Sequence, residues 1–175
     1  MTGKADGARI DHVAGPADID AARALIIEYA RALECIHTAT LTHQGFEAEM
    51  ASLPGQYAAP SGCLLLARER TTNAPLGCVA MRSLSEDACE LKRLYVRPVA
   101  RGRGIARSLC MELVRRARAL GYSRMNLDTE EETMAPAVSL YRSIGFVNTP
   151  RYNDDPCGCT LYMTLDLSKP LGKAD

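Results

Sequence analysis

The chain has 175 residues and carries 21 basic and 21 acidic side chains, so its formal net charge is zero. This length suits one domain with a sizeable core and is too short for two, so we expect a single domain over residues 1–175 with loose termini at 1–8 and 168–175. The charge balance argues against a nucleic-acid partner. The lack of a long apolar run or a signal-like leader predicts a cytoplasmic protein with no membrane contact.

The predicted elements alternate between strands and helices. In the first half, we expect a strand over Arg9–Ala14, a helix that Asp18 caps and that runs to about Cys35, a helix near His43–Leu53, and strands over Cys63–Glu69, Leu76–Leu84 and Cys89–Val96. In the second half, we expect a helix over Ile105–Leu120, a strand over Arg124–Asp128, a helix over Thr133–Ser143, a strand opening at Gly145-Phe146 and a strand over Leu161–Leu167. This order predicts an α/β fold with a mixed sheet flanked by helices.

The seven cysteines are scattered among apolar residues, which is typical of small hydrophobic side chains in a core. Cys157-Gly-Cys159 is the only close pair in the sequence, and no second Cys/His pair stands at ligand spacing. We therefore expect no metal.

The loop between the strand that ends at Val96 and the following helix contains Gly102 and Gly104. A helix that starts beside glycines presents unpaired N–H groups and the positive end of its dipole, and both favour an anion. Two nucleotide-binding motifs are excluded. Ile105 and Ala106 replace the Lys and Ser/Thr of a nucleoside triphosphate loop, and Arg107 replaces the third glycine of a dinucleotide fingerprint.

The pattern Arg101-x-x-Gly104-x-Ala106 instead resembles the pyrophosphate loop of the GNAT family, the Gcn5-related N-acetyltransferases. Downstream, Ala137-x-x-Leu140-Tyr141-x-x-x-Gly145-Phe146 resembles the family's second signature block. The resemblance implies a GNAT-like fold with a largely antiparallel mixed sheet, and acetyl-CoA as co-substrate. The chain departs from the family at Met134, where many members carry Asn, so any contact of that amide is missing.

The resemblance also implies a set of coenzyme-binding residues. The strand backbone at Leu94, Tyr95 and Val96 would pair with the pantetheine arm, and the loop amides would hold the pyrophosphate. The residues expected around the pyrophosphate are Arg101, Gly102, Arg103, Gly104, Ile105, Ala106 and Arg107. The three arginines can neutralise an anionic ligand, although a solvated basic helix start is the other interpretation, above all for Arg107.

Tyr141 matches the family tyrosine that protonates the departing thiolate, and a phenol stays protonated at neutral pH. The alternative is a core tyrosine that packs on Phe146. Glu90 lies where many relatives place a glutamate and is our expected base, with a solvent-exposed strand glutamate as the alternative. Glu130, Glu131 and Glu132 are candidates that also suit the dipole of the next helix, and His37 and His43 are left unassigned.

We therefore expect acetyl transfer to a primary amine of a small molecule or peptide, by direct attack in a ternary complex. A cysteine relay through Cys110 is not expected, because its helix position faces the core. The alternative is a non-catalytic acyl-CoA-binding module. Acidic residues at 130–132 and in Asn153-Asp154-Asp155 would suit a cationic acceptor, and relatives often form homodimers. The sequence identifies neither the acceptor nor the range of acyl donors.

Overall fold

The computed structural model describes residues 7–34, 45–154 and 160–170. The strands are β1 (Ala8–His12), β2 (Cys63–Glu69), β3 (Pro75–Ser83), β4 (Ala88–Val96), β5 (Arg124–Glu130), β6 (Val147–Asn148) and β7 (Thr160–Asp166). The helices are α1 (Pro16–Glu34), α2 (Phe46–Ser52), α3 (Ile105–Ala119) and α4 (Ala135–Ile144), with short 3₁₀ turns at Gly55–Tyr57 and Pro98–Ala100.

The strands form one sheet in the order β1-β2-β3-β4-β5-β7-β6. Every neighbouring pair is antiparallel except β4 and β5, which are parallel. The expected mixed, largely antiparallel sheet is therefore confirmed. The two parallel strands pair only where Ala88–Glu90 face Arg124–Asn126, and they separate beyond that point.

The sheet has one hydrophobic cluster on each face, as alternating strand side chains require. Cys89, Leu91, Met125 and Leu127 belong to the cluster that includes buried residues of α3 and α4. Cys78, Ala80 and Tyr95 belong to the other cluster, with residues of α1 and α2. We call these the α3/α4 face and the α1/α2 face.

Several predicted boundaries need correction. Helix α1 begins at Pro16, so Asp18 lies inside it and is not its cap. A proline in the first turn loses no helical hydrogen bond, and the Asp18 carboxylate instead binds Arg68 Nη2 at 2.7 Å. Strand β1 ends at His12, two residues earlier than expected. Gly145 ends α4 in the left-handed region, so the next strand starts at Val147.

The cysteines that the structure describes are free and buried, which confirms their role as core side chains; they are Cys63, Cys78, Cys89 and Cys110. Cys35, Cys157 and Cys159 lie outside the described residues. Within the described ranges, no helix has the length and apolar character to cross a membrane. The same ranges hold no group of three or more His, Cys, Asp or Glu side chains that could bind a metal ion.

Candidate active site

The separation of β4 from β5 opens a gap in the middle of the sheet. Beyond Glu90 and Asn126, the described residues provide no strand partner for the β5-facing edge of β4. Leu94, Tyr95 and Val96, the expected pantetheine-binding residues, lie on this part of β4. A free strand edge pairs with an extended ligand through its backbone, because its amides and carbonyls need partners.

A β-bulge lies in β4 beside the gap. Two residues of β4, Arg93 and Leu94, stand opposite one residue of β3, and Arg93 has φ 58°. The bulge leaves Lys92 and Tyr95 opposite Ala80 and Cys78 respectively. A positive φ at a bulky residue is uncommon, so other contacts must hold it in place.

The glycine loop has the geometry of an anion site. Gly102 and Gly104 have φ 77° and 71°, and a methyl group built on either would contact no atom within 4 Å. Helix α3 starts directly after Gly104 without a side-chain cap, and its first internal bond joins Ser108 N–H to the Gly104 carbonyl at 3.0 Å. By helix geometry, the N–H groups of Ile105, Ala106 and Arg107 therefore have no acceptor inside the helix. The loop fits a pyrophosphate group.

The three predicted arginines lie at this loop, and each also has a protein contact. Arg101 Nε donates to the Val96 carbonyl at 3.2 Å, and Arg107 Nη1 donates to Ser143 Oγ at 2.9 Å. Arg103 Nη2 lies 3.0 Å from Glu69 Oε2, so part of its charge is already balanced. The three side chains therefore extend from the region of the α3 start toward three different elements, β4, β2 and α4.

Tyr141 is buried on α4, on the face where the loop lies. Its ring packs on Phe146 at 5.7 Å between centroids, as the core-packing alternative expects. Within the described ranges, however, no group hydrogen-bonds its hydroxyl. Burial raises the pKa of Tyr141 well above 10, with smaller contributions from Cys110, Tyr29 and Asp128. The phenol therefore keeps its proton and has it free to donate.

Glu90 lies on the opposite face and is fully buried, so the solvent-exposed alternative is wrong. Arg82 Nε lies 2.5 Å from Glu90 Oε2, and the Tyr152 hydroxyl donates to Oε1 at 2.9 Å. Burial, and then the Glu90 charge, raise the pKa of Tyr152, so this hydroxyl remains a donor. Arg82 in turn donates to Gln56 Oε1 at 2.9 Å.

A second carboxylate, Asp128, was missed by the sequence interpretation. Its Oδ1 accepts from Lys92 Nζ at 2.9 Å across the gap, and its Oδ2 accepts from Asn153 Nδ2 at 2.9 Å. Lys92 Nζ also lies 3.8 Å from Glu90 Oε1. The sequence alone indicates that these residues share a face. Glu90 and Lys92 lie two residues apart on one strand, and Asp128 lies two residues after Asn126 on the next.

The remaining candidates make other contacts, and of these Glu130 lies on the same face of β5 as Asp128. Glu130 accepts from Thr133 Oγ1 at 3.0 Å, and Glu131 is an exposed partner of Arg142. Glu132 and Asp154 are exposed. Met134 is the residue before α4 and makes no side-chain cap. His37, His43 and Asp155 lie outside the described residues.

A split sheet with an uncapped, glycine-flanked helix start on one face and a polar cluster on the other agrees with the expected class, an acyl-CoA-dependent transferase. Comparisons with known proteins agree. The model of the acetyltransferase (GNAT) family matches residues 26–146. An uncharacterised N-acetyltransferase of Schizosaccharomyces pombe is 39% identical over 155 residues, which cover 88% of this chain and 91% of the relative.

Solved structures share the fold. A GNAT-family acetyltransferase from Staphylococcus aureus aligns with a TM-score of 0.75 and 15% identity, over 91% of this chain and 99% of that one. The PaiA N-acetyltransferase from Thermoplasma acidophilum, solved with coenzyme A, aligns with a TM-score of 0.70 and 15% identity, over 91% and 98%. The chain belongs to the GNAT acetyltransferase family and is an acetyl-CoA-dependent N-acyltransferase. This membership favours an enzyme over the alternative of a non-catalytic acyl-CoA-binding module.

Proposed function

We propose that the protein transfers the acetyl group of acetyl-CoA to a primary amine of a small molecule or peptide, by direct attack in a ternary complex. The observation that carries the proposal is Tyr141, whose buried ring holds a protonated hydroxyl without a hydrogen-bond partner among the described residues. Such a group can protonate a departing thiolate. The amine acceptor, the homodimer and the cytoplasmic location remain predictions.

The coenzyme would bind on the α3/α4 face. The amides of Gly104, Ile105 and Ala106, with Arg101 and Arg103, would hold its pyrophosphate, and the free edge of β4 would hold its extended arm. When bound, acetyl-CoA supplies the activated thioester. Tyr141 then donates its proton to the sulfur as the C–S bond breaks.

Direct attack is supported by the state of the cysteines near this site. Cys110 lies in α3, has no exposed surface, and burial raises its pKa to about 12. A buried neutral thiol is a poor nucleophile, because the thiolate is the reactive form. The described residues therefore favour an acetyl group that passes straight to the amine.

The function is tested with a panel of primary amines, with acetyl-CoA as donor and release of free thiol as readout. Tyr141→Phe should lower kcat by about tenfold or more, with little change in acetyl-CoA affinity measured by calorimetry. Tyr122→Phe is the matched control, because that buried hydroxyl donates to the Ser61 carbonyl at 2.9 Å. Unchanged kcat in Tyr141→Phe would refute the role of Tyr141.

Glu90 as base remains a prediction that Glu90→Gln tests. Its burial and its bonds to Arg82 and Tyr152 keep the carboxylate out of direct contact with an acceptor in this structure.

A further inference from the structure

The polar residues at the gap lie on the face away from Tyr141 and the glycine loop. Leu91 and Leu127 belong to the α3/α4 cluster, so their alternating neighbours point to the other side of the sheet. These neighbours are Glu90 and Lys92 on β4 and Asn126 and Asp128 on β5. An acceptor that enters from the α1/α2 face meets this row before it reaches the gap.

Lys92 and Asp128 are the first residues of this row beyond the last paired residues of β4 and β5. Their 2.9 Å contact crosses the gap itself, whereas Glu90 lies where the strands are still paired. The Asp128 side chain is 11% exposed, and that of Glu90 is 0% exposed. Of the two carboxylates, only Asp128 has surface that an acceptor can touch.

Asp128 also lies within electrostatic reach of Tyr141, the expected proton donor. Burial is the largest cause of the raised pKa of Tyr141 on α4 and of Tyr29 on α1, and the Asp128 charge contributes to both, together with the Glu130 charge at Tyr29. Glu90 makes no such contribution to either tyrosine. Tyr141 belongs to the α3/α4 cluster, whereas Asp128 alternates with Leu127 and points to the α1/α2 face. The two residues therefore lie on opposite faces of the sheet, as a proton donor and a proton acceptor should when they act on opposite sides of one reacting carbon.

We propose that Asp128, rather than Glu90, takes the proton from the acceptor ammonium. This inference rests on the proposed function. Each Asp128 oxygen accepts one protein hydrogen bond and keeps a second lone pair for the ammonium. Lys92 and Asn153 act as positioning residues, since they fix the carboxylate across the gap, and Glu90 positions Lys92 from 3.8 Å.

The proposed reaction removes two protons from the acceptor nitrogen, exchanges a C–S bond for an N–C bond and releases one proton overall. One ammonium proton passes to the Asp128 carboxylate, and the neutral amine forms the N–C bond as the C–S bond breaks. Tyr141 gives its proton to the sulfur, the second nitrogen proton passes to solvent, and the phenolate regains a proton from solvent. Asp128 then returns its proton to solvent, so the products are the amide, the free thiol and one proton.

The experiment compares two acceptors that differ in basicity but not in shape. The first is the best amine of the panel, an ammonium at neutral pH. The second is its analogue with fluorines beside the nitrogen, which is already neutral at the assay pH and needs no base before attack. Asp128→Asn should lower kcat/KM for the basic amine about 100-fold, and for the fluorinated amine less than about threefold.

Asp87→Asn is the matched control, because Asp87 is an exposed carboxylate in the turn before β4, with a side chain 55% exposed. It should leave both rates unchanged. Glu90→Gln should lower both rates by the same factor, as expected of a positioning residue. An equal loss with both amines in Asp128→Asn, or no loss with either, would overturn the assignment. Wild-type turnover of amines decides the proposed function separately.

Discussion

The guanidinium of Arg93 holds the carboxylate of Glu49 in two parallel hydrogen bonds, Nε to Oε1 at 2.9 Å and Nη2 to Oε2 at 2.7 Å. Both side chains are buried, and the Tyr57 hydroxyl donates to Glu49 Oε1 at 2.8 Å. Arg93 is also the bulge residue with positive φ, and its guanidinium lies 5.5 Å from the centre of the Phe46 ring. The pair therefore connects α2 to β4 beside the gap and stabilises the strained backbone of Arg93.

Glu49→Gln should destabilise the protein strongly, because it leaves the Arg93 charge buried without its counter-charge. We expect a loss of about 3–5 kcal/mol in the free energy of unfolding. Urea denaturation at neutral pH measures it. The acceptor KM should also rise while coenzyme affinity stays constant, since α2 packs on the α1/α2 face and the loop lies on the other.

Asp20→Asn is the control for this prediction. Asp20 pairs with Arg23 on the surface of α1, and its side chain is 72% exposed. Exposed pairs contribute less than about 1 kcal/mol, because solvent screens the charges. Similar small losses in both variants would contradict a structural role for the buried pair.

Gly104→Ala should weaken coenzyme binding through the backbone. At φ 71° a side chain is strained, and the loop can relieve that strain only by rotating the amides that face the ligand. We expect the Kd of coenzyme A, measured by calorimetry, to rise about fivefold or more, which corresponds to about 1 kcal/mol.

Gly121→Ala provides the comparison for Gly104→Ala. Gly121 has φ 88° and equally open space around a built methyl group, but it follows the opposite end of α3. Its substitution should lower the unfolding free energy by a similar amount, about 1 kcal/mol, and leave the Kd unchanged. If both variants bound coenzyme A like the wild type, the loop would not be the anion site.

Patterns among residues that are close in the sequence explain why the start of α3 and the helix that carries Tyr141 could be predicted. Glycines before an amphipathic run indicate a helix start with free amides, and Tyr141 to Phe146 lie within one short helix and its end. Contacts between distant residues were not predictable in this way. Glu49 and Arg93 are 44 residues apart, and the bulge that joins them depends on a register shift between β3 and β4.

Two expectations that the structure overturns, the Asp18 cap of α1 and the exposed alternative for Glu90, have the same origin. Asp18 has the residue type and position of a helix cap, yet its carboxylate binds Arg68, fifty residues away. The exposed alternative for Glu90 failed because Arg82 and Tyr152 approach it from other strands and loops. Sequence patterns identify which face a strand residue occupies, but they do not show what covers that face.

His12 should make stability depend on pH between about 6.5 and the lower pKa of the folded state. Burial, and then the positive charge of Arg116, lower the pKa of His12 from 6.5, and Arg116 Nε donates to its Nε2 at 2.7 Å. The unfolded chain therefore binds more protons in this window. The contribution of His12 is fully present above pH 6.5 and is lost as the pH falls toward the folded pKa.

His12→Asn should remove this part of the pH dependence. Urea midpoints measured from about pH 7.5 to 5.5 should fall less steeply in the variant than in the wild type. The carboxylates of Glu28 and Glu112 have pKa values lowered from 4.5, so their losses begin only in more acidic solution. His37 and His43 are present in both proteins and cancel in the comparison. Parallel slopes for the two proteins would show that the Arg116 contact does not disfavour protonated His12.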